Sequence, residues 1–77
     1  MTMQQKGIHD MKKEKAELLK GYREAKNMTQ DELAKEVGVS RGVIAMLESN
    51  EEYETHVSTA KRIGDVLGFN WVELYED

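Results

Sequence analysis

The sequence predicts an all-α fold, a compact bundle of five short helices. Three observations predict it. Apolar residues recur at spacings of three and four along every long segment and nowhere alternate over the length of a strand. Proline is absent, so only glycine and polar clusters can interrupt the chain. Finally, the pairs Thr29–Gly38 and Ser58–Gly68 read as start and stop signals around short periodic runs.

The first ten residues show no periodicity and are expected to fray. Residues 1–12 read as a flexible basic segment and residues 13–77 as the folded domain. Helical spacing opens at Met11 and is carried by Leu18, Leu19, Tyr22, Ala25 and Lys26, with Asn27 as the stop. Gly21 interrupts this helix at about 1 kcal/mol relative to alanine, which implies a close approach by another element. Thr29 and Glu32 form a reciprocal capping signature for the second helix. Its buried stripe is Leu33, Ala34 and Val37, and Gly38 supplies a left-handed end. Ser40 caps the third helix, which turns Ile44 and Leu47 inward. After the polar loop SNEEYETH, Ser58 caps a fourth helix carrying Ala60, Ile63, Val66 and Leu67, with Gly68 as its stop. Asn70 caps a short fifth helix presenting Trp71, Leu74 and Tyr75.

Composition narrows the function. Seventy-seven residues make one small domain, which buries only about 60% of its unfolded surface. Without cysteine there is no disulfide and no thiolate zinc site, a composition that fits a reducing cytoplasm. His9 and His56 stand alone, so no metal is expected, and no cofactor motif is present. Ser40 and Ser58 have caps to make and no histidine base nearby, so the chain does not read as an enzyme. No apolar run approaches the ~20 residues of a membrane span. Net charge is −4, but it is unevenly spread: residues 1–26 carry seven Lys/Arg against four acids, and residues 51–77 two against seven. One basic face is compatible with that balance.

The stretch TQDELAKEVGVSRGVIAMLE holds the informative chemistry. Two short helices joined by a tight turn at Gly38 make a helix-turn-helix, which leaves the second helix protruding. Such a helix can enter a B-DNA major groove ~12 Å wide. Val39, Ile44 and Leu47 hold it to the core, leaving Arg41, Gly42, Val43, Ala45 and Met46 near the exposed side. Small residues let a helix lie deep in the groove, and apolar ones can touch a thymine methyl.

From Leu18 to Tyr75 the chain resembles the Cro/phage-repressor (Xre-like) helix-turn-helix family. The matching residues are LLKGYREAKNMTQDELAKEVGVSRGVIAMLE and then VSTAKRIGDVLGFNWVELY. The resemblance implies a lambda-repressor-like fold and a DNA-binding regulator of phage or prophage type that works by occupying an operator. It implies that Gln30 bonds a phosphate, with Lys26 and Thr29 assisting at the backbone. Ser40, Arg41, Gly42, Val43 and Met46 match positions that approach bases or nearby phosphates. Arg23 and Glu48 match a buried ion pair of architectural role. Two features depart from the pattern. Only Arg41 offers bidentate readout of guanine, and Glu51, Glu52 and Glu54 occupy a loop that is commonly basic.

Lys12, Lys13 and Lys15 read as a solvated helix start, with a DNA-seeking arm as the alternative. Trp71, Leu74 and Tyr75 read either as core or as a two-fold contact in a homodimer, which would set two recognition helices about 34 Å apart on a pseudo-palindromic operator. A different use of the same scaffold is a protein-interaction module, antirepressor or antitoxin-like, whose partner would meet Val43, Ala45, Met46 and the acidic loop.

Overall fold

Four α-helices and one 3₁₀ turn make up the computed structural model, which describes Met11 and residues 14–75. Helix α1 spans Lys15–Ala25, α2 Gln30–Val37, α3 Arg41–Ser49 and α4 Val57–Leu67, and the 3₁₀ turn covers Trp71–Leu74. No strand occurs among the described residues. Helix α1 packs on α3 and on the 3₁₀ turn, α2 on α3 and α4, and α4 on the 3₁₀ turn.

Helix α1 begins four residues later than the periodicity suggested. Met11 is not helical; it is a separate apolar plug buried in the core, and its amide donates to the Glu54 carboxylate at 3.1 Å. Lys12 and Lys13 lie outside the described residues. The close approach inferred at Gly21 is also absent: a Cβ there would meet nothing within 4 Å. Gly21 instead opens a shallow apolar groove with Leu18, Tyr22 and Ala25. Asn27 takes the left-handed conformation (φ 57°) that asparagine tolerates, and the chain reverses into α2.

The capping box at α2 is complete. Glu32 N–H donates to Thr29 Oγ1 at 3.0 Å and Thr29 N–H donates to Glu32 Oε1 at 2.9 Å. Gly38 closes α2 at φ 87°, with its own amide and that of Val39 donating to the Ala34 carbonyl. These two hydrogen bonds to one carbonyl set the sharp entry into α3.

Helix α4 starts at Val57 with His56 at the cap position, two residues before the Ser58 expected to cap it. The His56 carbonyl accepts from both Thr59 and Ala60, and Val57 packs at the core edge, so the helix gains by starting earlier. Gly64 is required for packing. A Cβ there would lie 2.7 Å from the Phe69 carbonyl and 3.1 Å from the Trp71 amide.

The fifth helix of the sequence reading is a single 3₁₀ turn. Asn70 Oδ1 accepts from Val72 N–H at 3.1 Å, and the backbone bonds Glu73→Asn70 and Tyr75→Val72 span three residues. This tighter winding turns Leu74 and Tyr75, adjacent in sequence, both into the core. The two are therefore committed to their own protomer and unavailable to the two-fold contact suggested for Trp71, Leu74 and Tyr75. Trp71 stays half-buried, edge-on to Tyr75 and under the Lys61 ammonium at 5.4 Å. The centre of the core is Leu19, Leu33, Val37, Ile44, Leu47, Ile63, Leu67 and Leu74. Each such side chain contributes about 1.5–3 kcal/mol by burial.

Candidate nucleic-acid interface

Helix α3 is anchored by Ile44 and Leu47, both essentially fully buried, and these fix which face looks outward. On that face Arg41, Gly42, Met46 and Ser49 are exposed. Gly42, Met46 and Ser49 follow one another at spacings of four and three, so they form a single stripe. Met46, at 40% exposure, is the one large apolar side chain left open among the described residues. The outward set is narrower than the spacing alone suggested: Val39, Val43 and Ala45 are half-buried. Val43 turns toward the start of α4, where it lines a groove with Val39, Tyr53, Thr55 and His56. Ser40 has the extended backbone of a cap residue, but its side chain makes no capping bond. That hydroxyl and the first amides of α3 stay available to an anion, which the positive end of a helix favours.

Behind the stripe lies a polar network joining α1, α2 and α3. Arg23 donates from Nε to Glu48 Oε2 at 2.7 Å and from Nη2 to Glu48 Oε1 at 2.9 Å, and its Nη1 donates to the Met28 carbonyl at 2.6 Å. Both side chains are at least nine-tenths buried. The hydrogen bonds to Glu48 hold the guanidinium above its ordinary pKa, against the opposing effect of burial. Gln30 Nε2 donates to Glu48 Oε1 at 3.1 Å. One amide hydrogen of Gln30 is thereby used, and the second remains for another acceptor. Thr29 is exposed beside it, with its oxygen accepting the capping bond and its proton free to be donated. Lys26 does not join this group: its tip lies 3.9 Å from where a Cβ of Gly68 would be, at the far end of α4.

Two residues near α3 carry more than the sequence reading gave them. Lys15, taken there for a solvated helix start, is wholly buried and donates from Nζ to the carbonyls of Leu47 at 3.2 Å and Asn50 at 3.0 Å. Its position did carry a signal, because Lys15, Leu19 and Arg23 share one stripe at spacings of four. His56 reaches the groove beside Val43 through the early start of α4, which no motif marked.

The helix-turn-helix family profile matches residues 19–74, most of the chain. Among known proteins, the chain is 39% identical over 59 residues to the uncharacterized HTH-type transcriptional regulator YqaF of Bacillus subtilis (strain 168), covering 77% of this chain and 76% of that protein. Its fold is similar to the N-terminal DNA-binding domain of SinR from Bacillus subtilis, with TM-score 0.77 at 21% identity over 86% of this chain and 96% of that domain. A SinR structure in complex with DNA superposes with TM-score 0.72 at 23% identity, covering 79% and 97% of the two chains. The hydroxypropylphosphonic acid epoxidase of S. wedmorenis matches with TM-score 0.72 at 31% identity, over 88% of this chain but only 36% of the enzyme. A profile running from Leu19 within α1 to Leu74, matched by the α2–Gly38–α3 geometry, makes this chain a member of the Xre-like helix-turn-helix family of DNA-binding transcriptional regulators.

Proposed function

We propose that this protein regulates transcription by sequence-specific occupancy of an operator, with α3 in the major groove, in the manner of phage or prophage repressors. The observation that carries the reading is the outward stripe of α3: Gly42, Met46 and Ser49 lie in line, with Arg41 exposed at the helix's first position, while Ile44 and Leu47 fix the helix from behind. Arg41 reads guanine through its two-pronged fork, and Met46 meets a thymine methyl. Gln30, seated at the start of α2 against Glu48, offers its second amide hydrogen to a phosphate, with Thr29 beside it. Ser40 and Gly42 allow close approach at the helix start, and Val43 contacts the groove edge from its half-buried position. Lys26, with its tip beside Gly68 and apart from Gln30 and Thr29, adds positive charge at a separate point along the DNA backbone. Cytoplasmic location and the absence of catalysis go with this reading. A homodimer on a pseudo-palindromic site would place two α3 helices about 34 Å apart, and Trp71 is the residue of the suggested contact that is still partly open.

The deciding experiment is selection of bound sequences from a random duplex library, followed by titration of the selected site and a scrambled duplex at several salt concentrations. Recovery of a consensus supports operator reading; enrichment of nothing defeats it.

A second reading, a protein-interaction module, has its own observation. Among the described residues, a groove of about 820 Å³ beside Met46 is lined by Glu17, Glu48, Glu51 and Glu52 and by no basic side chain. Such a surface suits a basic partner segment. Binding of a partner protein lost in Met46→Lys, by a chain that selects no DNA sequence, would favour it.

A further inference from the structure

Among the described residues, the hydrogen-bond partners of the buried Lys15 ammonium are backbone carbonyls at the end of α3 and its exit. Lys15 is 0% exposed and lies at the first position of α1. Its Nζ donates to Leu47 O at 3.2 Å and Asn50 O at 3.0 Å, two carbonyls at the C-terminal end of α3. The last carbonyls of a helix lack partners within it and carry the negative end of its dipole, so a cation there meets both needs. Burial lowers the pKa of this ammonium, and the charges of Glu51 and Glu54 in the acidic loop oppose that effect. Glu54 is also held by the Met11 amide at 3.1 Å, and Met11 is itself packed in the core. The loop that would repel a phosphate backbone is thus tied through Glu54 to the buried Met11.

Helix α1 grips α3 at a second place through the Arg23–Glu48 pair. Lys15 and Arg23 are two turns apart on α1, about 12 Å at 1.5 Å per residue. One grip takes a side chain of α3 and the other takes its terminal carbonyls. A helix held by one attachment can pivot, and one held by two keeps its direction. Helix α3 is about 13 Å long, so a tilt of about 10° at its exit displaces Arg41 by about 2 Å, outside the tolerance of a specific contact.

We propose that Lys15 is a positioning residue for DNA reading: its buried ammonium clamps the end of α3 and the following loop, and so fixes which bases the helix start meets. The inference rests on the operator-reading function proposed above. Lys15 contacts no DNA itself, so it governs discrimination and leaves general affinity alone.

The test uses the full chain with its selected duplex and a scrambled one, comparing the parent with Lys15→Met, Lys15→Arg and Ile63→Val. The last is a core change that lowers stability away from the clamp. Lys15→Met is expected to lose roughly tenfold or more of its preference for the selected site, comparable to one mismatched base pair. Its affinity for the scrambled duplex and its salt dependence should stay at the parent's values. Lys15→Arg, which keeps the charge and the donors, should restore part of the preference, and Ile63→Val should keep it. Preference retained in Lys15→Met, equal loss on both duplexes, or equal loss in Ile63→Val would each overturn the proposal. If Lys15→Met does not fold, amide exchange in the parent decides. Asn50 and Tyr53 amides protected to within about tenfold of Leu47 support the clamp, and free exchange there removes it. A parent that selects no sequence defeats operator reading and this inference together; a parent and a Lys15→Met variant that select equally well defeat this inference alone.

Discussion

The guanidinium of Arg23 and the carboxylate of Glu48, 25 residues apart in sequence, meet in two parallel hydrogen bonds, 2.7 and 2.9 Å long, between α1 and α3. Glu48 also accepts from Gln30, so one carboxylate ties α1 and α2 to the recognition helix. The third donor of Arg23 closes on the Met28 carbonyl in the α1–α2 turn. Both charged groups in this knot are partnered, and this makes it sensitive to the loss of either one.

Arg23→Ala should therefore destabilise the fold by about 3–5 kcal/mol, because Glu48 is left buried with its main counter-charge gone. Arg23→Met combined with Glu48→Leu should recover much of that loss. Urea melts of the three chains measure it; equal small effects in the single and double variants would mean that the pair contributes nothing net.

Two glycines should respond oppositely to alanine. Gly21 has open space where its Cβ would go, so Gly21→Ala should stabilise the domain by up to about 1 kcal/mol through helix propensity. In Gly64→Ala the new Cβ would lie 2.7 Å from the Phe69 carbonyl. The 3₁₀ turn must shift to admit it, at about 1–3 kcal/mol. Thermal melts of both variants give the signs directly.

Tyr75 is buried, and its hydroxyl has no hydrogen-bond partner among the described residues. Tyr75→Phe should thus be neutral or stabilising, by up to about 1 kcal/mol at neutral pH. Burial, with help from the Glu54 charge, raises the Tyr75 pKa above its ordinary 10.0. The folded chain then holds its proton longer than the unfolded chain, so stability is kept below pH 10 and falls as the pH rises through the raised folded value. Tyr75→Phe should lack this alkaline loss. Denaturant melts from pH 8 to pH 11 would show whether the two curves diverge only above pH 10.

On the selected duplex, Arg41→Ala should cost roughly 1–3 kcal/mol and relax preference at one base position. Gln30→Ala should weaken all duplexes alike, since a phosphate contact carries no sequence information. Lys26→Ala should act similarly and make the salt dependence less steep by about one counterion. Met46→Ala should cost less than Arg41→Ala and act where a thymine lies opposite. Four variants that bind like the parent would take α3 out of the groove.

What the sequence by itself determined is what local chemistry decides. The Thr29–Glu32 capping box, the left-handed Gly38 and Gly68, the Asn70 cap and the inward Ile44 and Leu47 each depend on residues within a few positions of one another. The motif spacing that places the chain in its family is legible for the same reason. Gly21 misled because a small residue in a helix signals close approach only when a neighbour is present, and that is not a local property. Ser58 misled because its type is favoured at a helix cap, whereas the packing of Val57 starts the helix two residues after the loop's Thr55. The fate of Leu74 and Tyr75 depended on a 3₁₀ winding that spacing does not distinguish from a short α-helix. Lys15 is the clearest case of what only the tertiary structure decided. Its partners lie 32 and 35 residues away, and the Met11–Glu54 bond beside it spans 43. A lysine at a helix start defaults to water, because desolvating an ammonium is costly unless acceptors are already in place. Here the end of α3 supplies those acceptors, and only the folded chain brings them to it.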